Sequence, residues 1–227
     1  MKYIAHRGFS SIAPENSIPA FQLAALSEVH FGIECDIHQT KDNQFVVFHD
    51  DNLKRMTKKD ILLDKLTYDE LKLITIKTGK NIRKYKDLAI PLFKEYLDIC
   101  SSAHKTAVIE IKRLNELTEI ISLLNMIEEY PALPVIIISF DINYLKFIRA
   151  ISNVPLQLLV STLSEDLIYD SKMHQLDLSL DKKIVNKTLI KRLKKEGFKI
   201  AVWTVDYARQ AEIYENMGVD FITSDKL

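Results

Sequence analysis

The 227-residue sequence is poor in cysteine, glycine and proline and has no excess of charge of either sign. Its two cysteines, Cys35 and Cys100, cannot form the disulfide framework of a small secreted protein, and their scarcity suits a reducing compartment. With 5 glycines and 6 prolines against 47% hydrophobic residues, fibrous and disordered chains are excluded. The 31 basic and 31 acidic residues cancel, which argues against a nucleic-acid partner, because general nucleic-acid binders carry a net positive charge.

Long apolar runs are also missing. No run approaches the roughly 18 residues that a membrane-spanning helix needs. The first residues, 1–6, lead directly into polar sequence, without the apolar stretch and cleavage site of a signal peptide. The sequence contains no amphipathic helix with a basic face that would suggest a stable membrane anchor. These absences predict a cytoplasmic protein.

Short β-branched or apolar runs alternate with longer segments of helical period, which is typical of strands and helices around a parallel sheet. Nine runs have the character of strands, namely residues 3–6, 32–38, 44–49, 106–112, 135–140, 156–160, 176–180, 199–205 and 220–223. Apolar residues at spacings of three and four predict helices between most of them, including 17–27, 116–129, 141–151, 186–196 and 206–216.

The number of strands favours a closed barrel. Only residues 39–43 connect the second and third strands, too few for a parallel crossover, so these two strands are predicted to form an antiparallel hairpin. Without the second hairpin arm, eight strands remain, the number of a (β/α)8 TIM barrel. An open doubly wound sheet is the competing architecture, but the glycine-rich first turn of its dinucleotide-binding version is missing. We therefore predict one α/β barrel domain over residues 1–227.

Residues 51–87 interrupt the alternation and are predicted to form a small insertion near the mouth of the barrel. They contain eleven basic and six acidic residues, hence a local charge of +5, and one short helical pattern at 67–74. A positive lid of this kind would attract an anionic substrate. An ordinary solvated loop is the alternative interpretation.

Acidic side chains at alternate strand positions predict a site inside the barrel. Because successive strand residues point to opposite faces, Glu34 shares a face with Asp36, and Glu110 shares one with Lys112. Charged groups are tolerated on the inner face near the carboxyl ends of barrel strands, where active sites lie. Three carboxylates meeting there without cysteine suit Mg²⁺ or Ca²⁺. Salt bridges of these acids with Lys112 and Arg7 are the alternative.

Two histidines are predicted to approach the acids. His6 ends the first strand at the same rim of the barrel. If the hairpin turns at residues 42 and 43, His49 lies opposite Asp36 on the same face, whereas a slip of one residue would move it to the other face. Two imidazoles beside carboxylates suit a general acid and a general base, because both protonation states are accessible near neutral pH.

A series of short motifs extends over nearly the whole chain. In chain order they are His6-Arg7-Gly8, Pro14-Glu15-Asn16-Ser17, Ala20-Phe21, Glu34-x-Asp36, Thr40-Lys41-Asp42, His49-Asp50, Leu53-x-Arg55-x-Thr57, Glu110-Ile111-Lys112, Ser139-Phe140 and Trp203-Thr204-Val205. This ordered set resembles the glycerophosphodiester phosphodiesterase family. The resemblance implies a TIM barrel with a small insertion after the His-Asp motif. It also implies metal-dependent hydrolysis of small-molecule glycerophosphodiesters to glycerol 3-phosphate and an alcohol, within lipid and glycerol metabolism.

The resemblance also implies which residues bind metal and which perform acid–base catalysis. By position in the motifs, Glu34, Asp36 and Glu110 are the ligands of a divalent cation, Mg²⁺ or Ca²⁺. His6 and His49 correspond to the acid–base pair. The sequence does not decide which histidine is the acid, or whether water or the neighbouring glycerol hydroxyl is the nucleophile.

Five further residues are predicted to contact substrate. Arg7 and Lys112 would hold the phosphodiester oxygens, the guanidinium as a bidentate donor and the ammonium as a point charge. Glu15 is predicted to order the first loop or to join the polar site, with a loop acid that is only favourable near a helix start as the alternative. Phe140 and Trp203 are predicted as walls against the glycerol or the leaving alcohol, with plain barrel core as the alternative.

Other functions stay open at this point. The motifs specify phosphodiester chemistry better than they specify the alcohol, so a lysophospholipase D-like or phosphoinositide-type phosphodiesterase is the main alternative. A non-catalytic binding module that kept the barrel is a less favoured one, because it would be expected to lack histidines or carboxylates of the site. The sequence leaves the preferred head group and the oligomeric state undetermined.

Overall fold

Nine β-strands form one sheet in the computed structural model, which describes residues 1–227. They are β1 (Lys2–Ala5), β2 (His30–Gln39), β3 (Phe45–Val47), β4 (Thr106–Arg113), β5 (Val135–Ser139), β6 (Leu156–Val160), β7 (Asp177–Asp181), β8 (Ile200–Trp203) and β9 (Phe221–Ser224). All except β3 pair in parallel in the order β1-β9-β8-β7-β6-β5-β4-β2, and β1 pairs with β2 to close the ring. The predicted (β/α)8 barrel is therefore confirmed.

Helices occupy the connections between the strands. They are α1 (Ile18–Leu26), α2 (Lys54–Thr57), α3 (Tyr68–Leu71), α4 (Phe93–Ser102), α5 (Glu119–Glu128), α6 (Ile142–Ile151), α7 (Glu165–Met173), α8 (Lys187–Lys195) and α9 (Ala208–Met217). Several begin at a side chain that accepts a hydrogen bond from the first helical turn, as Ser17, Ser164 and Asn186 do. None of the helices combines the length and the apolar character that crossing a bilayer requires.

The alternation of side chains along the strands separates an outer core from an inner one. In β4, Ile109 and Ile111 pack outward in the large core between barrel and helices, as predicted. Val108 points the other way and packs with Ile4 and Leu159 inside the barrel. Since apolar side chains fill part of the interior, polar residues of the same strands are left to line its carboxyl end.

The hairpin of β2 and β3 differs by one residue from the predicted register. We predicted His49 opposite Asp36, but the backbone N–H of Phe48 donates to the carbonyl oxygen of Asp36 over 3.0 Å, so Phe48 takes that place. The predicted arm of residues 44–49 is also too long, since β3 ends at Val47.

The turn explains the shift in register. Thr40 and Gln44 form the last pair, with the Thr40 N–H donating to the Gln44 carbonyl over 2.9 Å. The loop therefore contains three residues, 41–43, and Asn43 adopts a left-handed φ of 61° that this loop length favours. Because His49 lies beyond the end of β3, the alternation of the strand does not decide which way its side chain points.

Residues 51–87 contain more structure than the single helical pattern that we predicted. They form α2, α3 and two 3₁₀ turns, Leu63–Lys65 and Ile82–Lys84. Buried side chains such as Leu53, Met56 and Leu71 give the segment a small core of its own. The tip of the segment contacts the loop after β1.

Gly8, in the loop after β1, is needed for close packing of that loop on α1. Its φ is +77°, and a methyl group at this position would lie 2.6 Å from the carbonyl carbon of Ala20. We expect Gly8→Ala to lower the free energy of unfolding by about 2–4 kcal/mol, because strain and steric overlap add. Gly197→Ala is the matched control, since φ there is +96° but nothing lies within 4 Å. Urea denaturation giving equal losses for both variants would contradict the packing argument.

Candidate active site

A cavity at the carboxyl end of the barrel, called the main cavity because most of the predicted site residues line it, encloses about 570 Å³, including its open mouth. Eight of the ten predicted site residues line it, namely His6, Arg7, Glu34, His49, Glu110, Lys112, Phe140 and Trp203. Asp36 is fully buried beside them, and Glu15 lies outside this cavity. The prediction thus selected side chains from separate strands that the closed barrel brings together.

Three carboxylates form the polar end of the cavity. Glu34 and Asp36 come from β2, and the β2–β4 register sets Asp36 directly beside Glu110. One oxygen of each of the three lies within 4.8 Å of the others, and their exposed fractions are 1%, 0% and 7%. This buried acidic cluster could bind a metal ion.

Protein donors hold part of each carboxylate and leave other oxygens without partners. The backbone N–H of Arg7 donates to Glu34 Oε2 over 2.7 Å, and Asn16 Nδ2 donates to Asp36 Oδ2 over 2.7 Å. Lys112 Nζ donates to Glu110 Oε1 over 2.8 Å. Glu34 Oε1 and Asp36 Oδ1 are buried without any hydrogen-bond partner. Because such atoms are costly to bury, they are suitable positions for a cation.

The pKa values of the three carboxyl groups also favour a cation at this position. Burial, together with Asp36 and Glu110, raises the pKa of Glu34 well above its usual value. Burial and the neighbouring Asp36 raise the pKa of Glu110 to about 7. Burial opposes ionisation of Asp36 too, but Arg7, His49 and Lys112 outweigh it and hold the pKa of Asp36 below its usual value. Full ionisation of all three carboxylates therefore needs additional positive charge, and their hard oxygen donors fit Mg²⁺ or Ca²⁺.

His6 is held by an aspartate at the other end of the chain. His6 Nδ1 and Asp225 Oδ1 are 2.7 Å apart, so Nδ1 carries the proton that it donates to the carboxylate. Ser10 Oγ also donates to Asp225 Oδ1, over 2.9 Å. Asp206 Oδ1 accepts from the backbone N–H of Asp225 over 2.9 Å and fixes this segment. Asp225 was not among the predicted site residues.

His49 is held in the same way by its sequence neighbour. His49 Nδ1 lies 2.6 Å from Asp50 Oδ1, and Arg55 Nε donates to Asp50 Oδ2 over 2.6 Å. Despite partial burial, the hydrogen bonds from Arg55 and His49 lower the pKa of Asp50 to about 2. Burial lowers the pKa of His49 itself. His49 Nε2 lies 3.4 Å from Lys112 Nζ, so its free nitrogen is on the side of the carboxylates.

Glu15 joins two guanidinium groups. Arg7 Nη1 donates to Glu15 Oε1 over 2.8 Å, and Arg55 Nη2 donates to the same oxygen over 2.7 Å. Although burial opposes it, these two arginines lower the pKa of Glu15. Arg7 Nε is also 3.3 Å from Asp36 Oδ2. Glu15 therefore orients Arg7 from outside the main cavity, and Arg55 connects this pair with the Asp50 beside His49.

Phe140 and Trp203 form an apolar wall of the main cavity. Their rings pack edge to face with centroids 5.6 Å apart, and Trp203 Nε1 donates to the Ser179 carbonyl oxygen over 3.0 Å. Phe140 is 49% exposed at the mouth, whereas Ile138 and Leu159 continue the wall inward. The cavity thus combines one charged end with one apolar side, which suits a ligand with an anionic centre and a small carbon skeleton.

Asn16 is a residue of the site to which sequence reasoning gave no role, although it belongs to one of the quoted motifs. Its Nδ2 donates to the Asp36 side chain, and its Oδ1 accepts from the Asp36 backbone N–H over 3.2 Å. The paired bonds fix both the strand position and the orientation of this carboxylate. A left-handed φ of 51° at Asn16 in the loop after β1 makes that approach possible.

Comparison with known proteins identifies the family. The model of the glycerophosphoryl diester phosphodiesterase family matches residues 6–227. A glycerophosphodiester phosphodiesterase of Caldanaerobacter subterraneus subsp. tengcongensis is 32% identical, over 98% of this chain and 93% of that protein. Glycerophosphodiester phosphodiesterase 1 of Mus musculus is 25% identical, over 99% of this chain and 78% of that protein.

A solved structure supports the same relationship. The phosphodiesterase of Oleispira antarctica, in complex with the product sn-glycerol-3-phosphate, superposes with a TM-score of 0.92. It is 26% identical and covers 99% of this chain and 93% of its own. Since the sequence match, the barrel and the predicted motifs agree over nearly all residues, the chain belongs to the glycerophosphoryl diester phosphodiesterase family.

Proposed function

We propose that the protein hydrolyses glycerophosphodiesters to glycerol 3-phosphate and an alcohol, with a divalent cation held by Glu34, Asp36 and Glu110. Two buried carboxylate oxygens without hydrogen-bond partners, Glu34 Oε1 in the main cavity and Asp36 Oδ1 beside it, carry this proposal, since two imidazoles line the same cavity. The relative in complex with sn-glycerol-3-phosphate supports the choice of product. We propose Mg²⁺ or Ca²⁺ because all three side chains offer hard oxygen donors.

The charged groups around the cluster would bind the phosphodiester. When bound, the cation supplies Lewis-acid stabilisation of the negative charge that develops on the phosphate. Arg7 Nη1 donates to Glu15, and Nε lies 3.3 Å from Asp36 Oδ2 without forming a hydrogen bond, so Nη2 remains for a phosphate oxygen. The Lys112 ammonium lies between Glu110 and His49 and adds a point charge on the same side. Phe140 and Trp203 would exclude water from the carbon skeleton of the substrate.

The two histidines would move the protons. Each has its Nδ1 fixed by an aspartate, so each can offer Nε2 to the substrate. Because burial lowers the pKa of His49, its imidazole is neutral at pH 7 and suited to accept the proton of the nucleophile. With His49 assigned as the base, we assign His6 as the acid that protonates the leaving oxygen, since the contact of its Nδ1 with Asp225 leaves Nε2 for the substrate.

A panel of substrates tests the proposed reaction. Glycerophosphocholine, glycerophosphoethanolamine, glycerophosphoglycerol and a lysophospholipid are incubated in parallel, each with Mg²⁺, with Ca²⁺ and with EDTA, and glycerol 3-phosphate is measured. We expect its release from the first three only when a cation is present. Release of free alcohol from the lysophospholipid alone would instead indicate a lysophospholipase D-like enzyme. Absence of any turnover would indicate a binding module.

Asp225→Asn should lower kcat by about 10- to 100-fold, with KM changed less than about threefold, because the amide removes the negative charge that lies beside His6 Nδ1. The half-buried aspartate touches no part of the proposed metal cluster. Asp206→Asn is the matched control, since its remaining amide oxygen can still accept from the Asp225 backbone. Steady-state kinetics on glycerophosphoglycerol distinguishes the two variants. Equal effects on kcat would mean that Asp225 only holds the loop.

A further inference from the structure

A second cavity lies beside the main one. It encloses about 890 Å³ including its open mouth, and none of its nine lining residues is hydrophobic. His6 and Arg7 line both cavities. Ser10, Ser11, Lys80 and Lys226 belong to the second cavity alone. We propose that this second cavity binds a phosphate group carried by the leaving alcohol, so that diesters with a second phosphate are preferred substrates.

The lining of the second cavity has a net positive charge, because Arg7, Lys80 and Lys226 outnumber Glu15 and Asp225. Glu15 accepts from both Arg7 and Arg55, at 2.8 and 2.7 Å. Asp225 accepts from His6. Lys80 and Lys226, in contrast, have no carboxylate oxygen within the 4.0 Å of an ion pair. The Lys226 ammonium lies 5.3 Å from the centre of the Tyr207 ring, a contact that leaves its charge in place. Two ammonium groups without a carboxylate partner therefore lie at the rim of the second cavity, an arrangement that suits a dianionic ligand.

Lys80 has a defined position, although its side chain is exposed. Gly79, with φ of +123°, packs so closely on the first loop that a methyl group there would lie 2.8 Å from Pro14 Cβ. On the other side, Asn81 Nδ2 donates to the Ile12 carbonyl oxygen over 2.9 Å. The tip of residues 51–87 is thus fixed to the loop after β1 from both sides of Lys80.

Other lysines of residues 51–87 are paired with acids or lie away from the two cavities. Lys54 pairs with Asp60 at 2.6 Å, and Lys72 pairs with Asp69 at 2.5 Å. The local charge of +5 predicted an anion-attracting lid as one of two interpretations. Only Lys80, among the lysines of the segment, lines either of the two cavities beside His6.

The reaction geometry makes the second cavity suitable for the leaving alcohol; this step rests on the proposed function. Arg7 and His6 stand where the two cavities adjoin, so a phosphodiester held by Arg7 can extend one substituent into each. The main cavity has the apolar wall and hydroxyl groups that suit glycerol. His6, the assigned acid, protonates the leaving oxygen and therefore lies next to the leaving alcohol. A phosphate one glycerol unit away from that oxygen reaches toward Lys80 and Lys226.

A matched pair of substrates and matched variants test the inference. The substrates are glycerophosphoglycerol and the same diester with a phosphate on its terminal hydroxyl. At low ionic strength we expect the wild type to prefer the phosphorylated diester about tenfold in kcat/KM. Lys80→Ala and Lys226→Ala should each lower kcat/KM for that substrate about fivefold, the upper range for an exposed charge, and leave glycerophosphoglycerol unchanged. Raising the salt concentration should reduce the preference.

Two further variants separate charge from loop structure. Lys84→Ala removes an exposed lysine of the same segment that lines neither cavity, and it should change neither substrate's kcat/KM. Lys80→Glu should reverse the preference, with glycerophosphocholine gaining on the phosphorylated diester. If the wild type shows no preference, or if Lys80→Ala and Lys226→Ala leave the preference intact, the second cavity is not a phosphate site. Turnover of glycerophosphoglycerol in that case keeps the proposed function, whereas turnover of neither diester overturns both.

Discussion

His6→Ala and His49→Ala should each lower kcat by about two to four orders of magnitude, the usual range for a general acid or base. Each imidazole is fixed through Nδ1, at 2.7 Å to Asp225 and 2.6 Å to Asp50. No third histidine lines the main cavity, so no other imidazole can take over the proton transfer of the one removed. The double variant should be little slower than the slower single variant, because the two groups act in one step.

The fold of both alanine variants should stay intact. Both side chains are partly exposed, at 19% and 30%, so their loss should cost little stability. Circular dichroism and Tm should therefore be near those of the wild type. His104→Asn is the matched control, because His104 is exposed and asparagine tolerates its left-handed φ of 53°. Rates near the wild type for both alanine variants would remove the acid–base assignment.

Strand periodicity made much of the acidic cluster predictable from the sequence. A period of two is a local property, so Glu34 and Asp36 could be assigned to one face without knowing the fold. The count of eight strands then supplied the barrel, and in it β2 and β4 are neighbours with Asp36 beside Glu110. The meeting of the three carboxylates was predictable because a few residues are enough to determine both the alternation of side chains along a strand and the number of strands.

Contacts between distant parts of the chain were not predictable in this way. Asp225 meets His6 across 219 residues, because ring closure sets β9 beside β1. Lys80 reaches the second cavity through the packing of Gly79 on Pro14, which no periodic pattern indicates. Periodicity determines the face of the sheet to which a side chain points, whereas its contacts with distant residues depend on the conformation of the loops.

His49 lies where we predicted it, but the predicted hairpin register is not the reason. His49 lines the main cavity, as expected, but the predicted register was wrong by one residue. Thr40 closes a three-residue turn, and β3 ends before His49. The side chain reaches the site because it follows the strand, and the hydrogen bond to Asp50 then fixes it.

Removing the divalent cation should abolish turnover and make the stability of the protein depend on pH. In metal-free protein the pKa of Glu110 is about 7, against 4.5 for an ordinary glutamate. A carboxyl group with a raised pKa contributes stability that is fully present below about pH 4.5 and is lost as pH rises through 7. Glu34 acts in the same direction. In EDTA we therefore expect Glu110 to lower the free energy of unfolding by about 3 kcal/mol from pH 4.5 to pH 8, measured as the difference between the wild type and Glu110→Gln. The difference is needed because burial lowers the pKa of His30, His38 and His49, which act in the opposite direction in both proteins.

Excess Mg²⁺ or Ca²⁺ should remove most of this decrease, because a cation stabilises the ionised carboxylates and binds only the folded chain. Urea denaturation at several pH values, with and without the cation, measures the effect. Glu110→Gln is the matched variant, since it keeps the shape of the side chain and removes its charge.

In EDTA at pH 8, Glu110→Gln should be more stable than the wild type. With excess Mg²⁺ or Ca²⁺, the variant should gain less stability than the wild type and should have no turnover. Activity that survives thorough chelation would exclude the metal from the reaction. An unchanged pH dependence in Glu110→Gln would mean that other groups cause the decrease. Higher stability together with lost activity is expected only if these carboxylates are kept close together for the cation rather than for the fold, since a structural cluster would lose stability when one member is replaced.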